Sequence, residues 1–412
     1  MEITAEQDNA LNAVKDWMSR PEDQLFYLAG YAGTGKTTLA KYFAEGVKGT
    51  VLFAAFTGKA AHVLNKKGCP ANTLHKLIYL PKNKCKSRLK ELQDKLKYLF
   101  SMNSPEKDIH ELERQIKLES ENVKKPAFNL NMDSVVREAS LVILDECSMI
   151  DEFMATDLLS FGSKVLVLGD PGQLPPVRGR GFFTQRTPDF QLEEIHRQAR
   201  DNPILRLATD VRANGGLVLG QYGESHVVKR GTLGVEAVSK FDQVIVGKNT
   251  TRYAANAKIR KHGQFMNPLP MLTDKVVCLR NNHDLGLLNG SLWTVTDVKY
   301  EEDLKSDDRY DQLMNGKMDQ LALQVRADDN DESVECMVHT LHFLGKGSEI
   351  SPWEHKDAEE FDFGYALTCH KAQGSQWDSV VVFDESACFK QNAKKWLYTA
   401  ITRAAERVTV VV

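Results

Sequence analysis

The chain has 412 residues, 42% hydrophobic and 26% charged, a globular balance with room for roughly two to four structural units. Its formal net charge of −3 excludes a strongly basic nucleic-acid coat, so any nucleic-acid contact has to be a local groove. No apolar run approaches the ~20 residues of a membrane helix, and Met1-Glu2-Ile3-Thr4 lacks the basic start and apolar core of a signal peptide. An intracellular protein without a membrane segment is expected. The seven cysteines are odd in number, scattered, and free of any Cys-x-x-Cys pair, which argues against a zinc site or a disulfide framework. Cys147 and Cys369 lie beside candidate active residues but read as small buried apolar side chains.

Ile3 to Gln7 opens a helix. Thr4 is a plausible N-cap and Gln7 completes a capping box. The Gln7 amide also has the donor–acceptor pair to read an adenine edge, and the two roles can coexist. The apolar run Leu25 to Ala29 then leads into Gly30-Tyr31-Ala32-Gly33-Thr34-Gly35-Lys36-Thr37, and a helix-like run starts at Thr38. Strand, glycine-rich turn and helix are the context of a phosphate-binding loop. Gly30, Gly33 and Gly35 let backbone N–H groups turn inward, and the helix start adds about half a positive charge. Thr34 and Thr38 complete the expected nucleotide-binding set; Lys36 should reach the β- and γ-phosphates, and the Thr37 hydroxyl should hold Mg²⁺.

A β-like run follows at Val51 to Ala55, then helix starts at Thr57 to Leu64 and at Asn72 to Leu77. Each start suits a backbone phosphate, and each is equally explained by capping. Residues 82–97 carry seven basic against two acidic side chains, and Leu89, Leu92, Leu96 and Leu99 recur at helical spacing. Ile109, Leu112 and Ile116 do the same after Ser104-Pro105. A helical hairpin inserted over 81–125 is expected, with Tyr98 to Met102 at its tip. It reads either as a solvated basic face or as an arm over nucleic acid.

Residues 141–150, Leu141 to Ile150, read as a buried parallel strand ending in two carboxylates, Asp145-Glu146, where ligands sit in open α/β sheets. Asp145 can hold Mg²⁺ through water, and Glu146 can orient or deprotonate the attacking water. A second buried strand, Lys164 to Gly169, runs into Asp170-Pro171-Gly172-Gln173-Leu174-Pro175-Pro176. There Gln173 can sense the γ-phosphate, and Pro175-Pro176 forms a stiff wall, so the segment reads as a coupling element. Arg197 is either a surface arginine or one that reaches phosphate. A second strand–helix series begins at Gln243 to Gly247 with a helix from Asn249 to Arg260. Short alternating runs at 292–296, 321–325 and 337–341 suggest a small β-barrel insertion. Phe363 to Ser375 returns as strand and helix start, followed by a strand at Val380 to Phe383, a helix from Trp396 to Ala404, and a closing strand at Val408 to Val412. Arg403 could be a dipole-favoured helix-end arginine or a nucleotide contact.

Taken together, these stretches resemble superfamily 1B (5′-to-3′) DNA helicases of the RecD/Dda type. Ile3 to Gln7 resembles the Q motif, Gly30 to Thr37 motif I, Thr57 to Leu64 motif Ia, and Thr73 to Leu77 motif Ib. Asp145-Glu146 resembles motif II and Gly169 to Pro176 motif III. Arg197 falls in a motif IV-like stretch, Thr368 to Ser375 resembles motif V, and Tyr398 to Arg403 motif VI. The motifs stand in the family's order and span most of the chain outside the two insertions.

The resemblance implies an α/β fold of two RecA-like parallel-sheet domains, with a helical insertion in the first and a small SH3-like β-barrel in the second. The implied boundaries are 1–80 and 126–190 for the first domain with 81–125 inserted, and 191–290 and 359–412 for the second with 291–358 inserted. ATP and Mg²⁺ are the implied cofactors. Lys36, Glu146, Gln173, Arg197 and Arg403 are the implied catalytic set; Gln7 and the phosphate loop, with Asp145, Glu146 and Arg403, bind the nucleotide. Thr57, Lys59, His75, Pro176, Thr368, His370 and Lys371 are implied as DNA contacts. The family's duplex-splitting pin is a β-hairpin, whereas this insertion reads as helical, so Phe100, or Phe128, is a wedge candidate in place of a known pin. The implied partners are single-stranded and forked DNA and proteins of replication or recombination. The expected protein is a monomer in the cytoplasm, the host's if the source is viral. The activity implied is ATP-driven 5′-to-3′ movement with unwinding. The alternative is a DNA-stimulated ATPase that remodels protein–DNA complexes without unwinding.

Overall fold

Continuous apolar runs set the layout, because a parallel strand covered on both faces needs no alternation. The computed structural model describes residues 3–81, 92, 95–96, 109, 112–116, 128–176, 181–194, 202–214, 216–282, 285–299, 320–328, 332–350 and 358–412. Arg197 and Phe100 lie outside them, as does the side chain of Phe128.

The first lobe runs α1 (Ala5–Met18), β1 (Leu25–Gly30), α2 (Lys36–Glu45), β2 (Val51–Ala55), α3 (Gly58–Lys66) and β3 (Ala71–Thr73). After α4 (Leu74–Ile78), β4 (Tyr79–Pro81) and β5 (Phe128–Leu130), it resumes with β6 (Leu141–Asp145), α5 (Glu152–Leu159), β7 (Val165–Gly169) and β8 (Phe190–Leu192). Its sheet has the order β3-β2-β6-β7-β1-β8, parallel throughout. Every residue of β6 and β7 is buried, and Leu28, Leu39, Ile143 and Leu168 centre the core. Because the loops after β1, β6 and β7 leave the same sheet edge, the three motifs at their ends converge.

Residues 75–137 fold as a separate compact unit. Within it β4 pairs antiparallel with β5, Ser134 Oγ donates to the Leu77 carbonyl at 2.6 Å, and Leu112 is buried. The described residues 92, 95–96, 109 and 112–116 are helical.

In the second lobe come α6 (Pro203–Asn214), β9 (Gly220–Tyr222), β10 (Ser225–Val228), β11 (Gln243–Val246) and α7 (Asn249–His262). Next are β12 (Lys275–Cys278), β13 (Leu292–Lys299), β14 (Gln320–Ala327), β15 (Ser333–His339) and β16 (Phe361–Phe363). The chain ends with β17 (Ala366–Thr368), α8 (Cys369–Ala372), β18 (Trp377–Phe383), α9 (Ala393–Ile401) and β19 (Ala404–Val411). The lobe's sheet has the order β17-β11-β18-β19-β10-β9, parallel except for the β9–β10 edge pair.

The alternating runs form a five-stranded antiparallel sheet, β15-β14-β13-β12-β16, which takes β12 and β16 from outside 291–358. Glu359, just before β16, exchanges backbone hydrogen bonds with β15: its N–H donates to Met337 O at 2.6 Å, and its carbonyl accepts from His339 N at 3.1 Å. The two sheet edges therefore meet, around a core that includes Trp293, Val325 and Phe361. Two buried ion pairs tie this sheet to α7: Arg260 grips Asp274 through Nε at 2.9 Å and Nη2 at 2.8 Å, and Arg252 Nη1 meets Asp362 at 2.7 Å.

Candidate active site

β1 delivers the chain to Gly30 at the edge of the sheet, where the loop must turn tightly. Gly33 and Gly35 take φ of +81° and +83°, a left-handed conformation in which a Cβ is strained. At Gly30 a Cβ would stand 2.6 Å from Thr34 Oγ1, so a side chain there would collapse the cradle. Lys36 Nζ donates to the carbonyls of Gly30 at 2.6 Å and Tyr31 at 3.0 Å, which holds the ammonium at the mouth of the loop. The capping box forms as read from the sequence: Gln7 N donates to Thr4 Oγ1, and Thr4 N donates to Gln7 Oε1. Gln7 Nε2 donates to Thr34 O at 3.1 Å, so the same amide also braces the phosphate loop.

β6 ends on the two carboxylates. Thr37 Oγ1 donates to Asp145 Oδ2 at 3.0 Å, and Asp145 Oδ1 accepts the Glu146 N–H at 2.8 Å. This hydroxyl and carboxylate are hard oxygen donors of the kind Mg²⁺ takes, one or two from protein with the rest from phosphate and water. Glu146 sits at φ +53° and ψ +45°, a left-handed conformation that costs a non-glycine residue on the order of 1–3 kcal/mol. Burial, then the Asp145 charge, raise its carboxyl above the usual range, while Arg403 and Lys36 pull it back. A carboxylate so placed is a stronger base than one in water.

α9 carries the second lobe's contribution. The helix ends at Ile401 with Thr402 as its C-cap, so Arg403 stands just past the end and is not part of the helix. Its guanidinium is buried and fixed within the lobe: Nε donates to Thr399 O at 3.0 Å, Nη1 to Ser375 O at 3.2 Å and Nη2 to Thr402 Oγ1 at 3.1 Å. Lys36, Thr37, Glu146 and Gln173 line one cavity of about 320 Å³ together with Arg403 from the other lobe. Gln173 is buried, and among the described residues its Oε1 has no hydrogen-bond partner. A buried acceptor left without a partner in the wall of a polar cavity fits a site that a water or a ligand group completes.

The segment after Gln173 is where the lobes are joined. Leu174 N–H donates to Thr399 Oγ1, and Gln373 Nε2 donates to Leu174 O, both at 2.9 Å. A second seam joins α3 to the residues after α8. Thr57 caps α3 through Oγ1, which accepts from Ala60 N at 3.1 Å. Lys59 Nζ lies 4.8 Å over the Trp377 ring. A Cβ on Gly374 would meet Thr57 Oγ1 at 2.9 Å. Thr368 ends β17 and is buried, and the His370 ring lies 5.8 Å from Phe389. Burial holds the His370 imidazole below its usual range. Lys371 is pushed down to about 8 by burial and by Arg252, against the opposing pull of Asp362 and Glu360. Pro176 is half-buried. His75 belongs to the 75–137 unit, with its ring 5.7 Å from Tyr79.

Residues 2–232 match the model of the AAA domain family. The chain belongs to that family and is of the RecD/Dda type. Residues 363–411 match the UvrD-like helicase C-terminal domain, the stretch that holds β17, α8, β18, α9 and Arg403. The ATP-dependent RecD2 DNA helicase of Deinococcus radiodurans is 26% identical over 429 aligned residues, covering 93% of this chain and 46% of RecD2. The ATP-dependent DNA helicase Dda of Enterobacteria phage T4 is 27% identical over 256 residues, 58% of this chain and 49% of Dda. The chain therefore spans about half the length of these two relatives. A Bacteroides Pif1 helicase, solved in complex with ADP-AlF3 and ssDNA, shares the fold with a TM-score of 0.52 at 17% identity, over 99% of this chain and 92% of that one.

Tyr31, Tyr398, Thr399 and Trp377 were not among the expected site residues, although Tyr31 lies in the motif I stretch and Tyr398 and Thr399 in the motif VI stretch. Tyr398 and Thr399 lie in an apolar helix where a buried residue reads as core, and Trp377 opens a strand. Only the meeting of the two lobes gives them a second role.

Proposed function

We propose that the chain is an ATP-dependent DNA helicase that moves 5′ to 3′ on single-stranded DNA and separates duplex ahead of it. One observation carries this reading: residues from two parallel-sheet lobes line one polar cavity, so the site is complete only when the lobes are together. Mg²⁺-ATP supplies the phosphoanhydride whose cleavage drives the cycle. Lys36 and the loop N–H groups bind phosphate, and Thr37 with Asp145 hold the metal. Glu146 takes a proton from water, Gln173 orients that water or a phosphate oxygen, and Arg403 neutralises charge that develops in the transition state. Arg197 is proposed as a second arginine for that charge, and Gln7 as the adenine reader.

Closing and opening this cavity moves one lobe against the other. The seam of Thr57 and Lys59 with Gly374 and Trp377 supports a two-grip path for a single strand, with Thr57 and Lys59 proposed as DNA contacts on one lobe and Thr368, His370 and Lys371 on the other; Pro176 and His75 are proposed as further DNA contacts. Paired grips whose spacing follows the nucleotide make a stepping motor. The closed antiparallel sheet supports the accessory SH3-like reading.

The test is ATP hydrolysis with and without a single-stranded oligonucleotide, together with strand displacement on forked DNA. DNA-stimulated hydrolysis with displacement is expected. Stimulation without displacement would favour remodelling of protein–DNA complexes, and hydrolysis indifferent to DNA would overturn the motor reading.

A further inference from the structure

The phosphate loop has a contact that its own lobe does not supply. Its Ala32 N–H donates to the Tyr398 hydroxyl oxygen at 2.8 Å, and the same hydroxyl donates to Asp170 Oδ2 at 2.8 Å. Tyr398 lies on α9 in the second lobe; Ala32 and Asp170 belong to the first. Asp170 spends its other oxygen on the Gly172 N–H at 2.8 Å, which fixes the turn that places Gln173 in the cavity. Tyr398 and Asp170 are each only 3% exposed, so neither partner has water in place of the other. Burial and the Asp170 charge hold the phenol well above its usual range, so the proton stays on the Tyr398 oxygen and points at the carboxylate. Around this bond the loop is gripped from the same side: Arg212 of α6 lies 3.6 Å over the Tyr31 ring, and the Tyr31 and Tyr398 rings meet edge-on at 6.5 Å.

We propose that Tyr398 is a positioning residue for ATP hydrolysis, its hydroxyl setting the phosphate loop and the Gln173 turn to the position of α9 and hence of Arg403. The inference rests on the ATPase reading above and adds to it a specific coupling element. A loop N–H that could otherwise face the nucleotide is assigned to the opposite lobe, so the geometry of the loop depends on where that lobe stands. Neither Lys36 nor Arg403 can provide this link, because each is hydrogen-bonded within its own lobe.

The experiment compares wild type, Tyr398→Phe, Asp170→Asn and the double variant in ATP hydrolysis at saturating single-stranded oligonucleotide, with melting temperatures measured alongside. Phe keeps the ring and removes the link. Tyr398→Phe is expected to lower kcat about tenfold while KM for ATP changes less than about twofold, because the ground-state phosphate contacts remain. Asp170→Asn keeps an acceptor oxygen but not its charge and is expected to lose about threefold in kcat; the double variant should lose no more than Tyr398→Phe alone. Wild-type kcat in Tyr398→Phe, with or without a lower melting temperature, would leave the hydroxyl a packing detail and overturn the proposal. So would full additivity of the two changes. If Tyr398→Phe does not fold, an unaltered kcat in Asp170→Asn decides against the proposal in its place. A wild-type protein that hydrolyses no ATP would instead sink the ATPase reading itself.

Discussion

Glu146 holds a left-handed backbone conformation that a strand-end residue adopts only where the surrounding structure enforces it. The twist places the carboxyl in the cavity, and burial beside Asp145 raises it. Glu146→Gln keeps the shape and removes the base, so the variant is expected to bind ATP and DNA but to hydrolyse roughly 10²–10⁴-fold more slowly. Loss of nucleotide binding, measured by fluorescent-nucleotide titration, would instead make Glu146 structural. Since a base works only when deprotonated, the wild-type kcat should fall on the acid side at a pH above the usual carboxylate range. Lys36→Ala should abolish hydrolysis while circular dichroism stays native; retained turnover would refute the assigned role. Lys371 offers a different pH dependence. Its ammonium loses its charge as pH rises through about 8, and phosphate favours the charged form, so DNA binding takes up a proton. Affinity for a single-stranded oligonucleotide should therefore weaken above that pH, by at most about tenfold per pH unit. Lys371→Arg should flatten the profile, and His370, held neutral by burial, should not contribute. A flat wild-type profile would take Lys371 off the path. At this scale the strand, glycine turn and helix around Gly30 to Thr37 and the strand end at Asp145 were legible because each is local in sequence. Gln7 was legible as a cap, but its grip on Thr34 was not, because 27 positions separate them.

Elements were legible where period and length agree. The buried runs became β1, β6, β7 and β11, and the helix expected from Asn249 became α7. The three-residue β4–β5 pair was not legible, since alternation has no length in which to show. Helix α9 ends before Arg403, because Thr402 caps it and the chain passes at once into β19, a boundary that apolar composition alone does not mark. The fixing of the antiparallel sheet onto α7 was also hidden. It depends on Arg260 and Arg252, which on an exposed helix would read as solvated charge, yet both are buried against Asp274 and Asp362. Removing one partner leaves the other charge buried and alone. Asp274→Ala is expected to cost about 3–5 kcal/mol of stability in urea unfolding, with part of that loss arising because Tyr365 Oη and the Met271 N–H also bond Asp274. A loss below about 1 kcal/mol would mean that water replaces the carboxylate and that the pair does not anchor the sheet.

The two lobes matter together, and that relation was only partly legible. The order of motifs pointed to a second sheet ending in Arg403, but no pattern in the chain announces that Leu174 is held from both sides by Thr399 and Gln373, or that Lys59 lies over Trp377. Such contacts join positions far apart in sequence and appear only once both sheets exist. They also bear on direction. On the proposed reading a motor built from two grips is asymmetric along the strand, because the lobe with the phosphate loop and the lobe with Arg403 would bind different stretches of the backbone. Movement from 5′ to 3′ then means that a single-stranded tail loads the protein only when it lies on the 5′ side of the duplex. Two substrates with the same duplex, one with a 5′ tail and one with a 3′ tail, should differ in ATP-dependent strand displacement by at least about tenfold in favour of the 5′ tail, a gap that corresponds to about 1.4 kcal/mol. Equal rates would mean that the tail is only a landing site. A preference for the 3′ tail would reverse the assignment of leading and trailing lobes while leaving the nucleotide site as described. Opening the Lys59–Trp377 seam with Trp377→Ala tests the same asymmetry from the protein side. If the seam is part of the path, displacement should fall more than ATP hydrolysis does, because the site at Lys36 and Glu146 is untouched while the grip that converts its closure into movement is loosened.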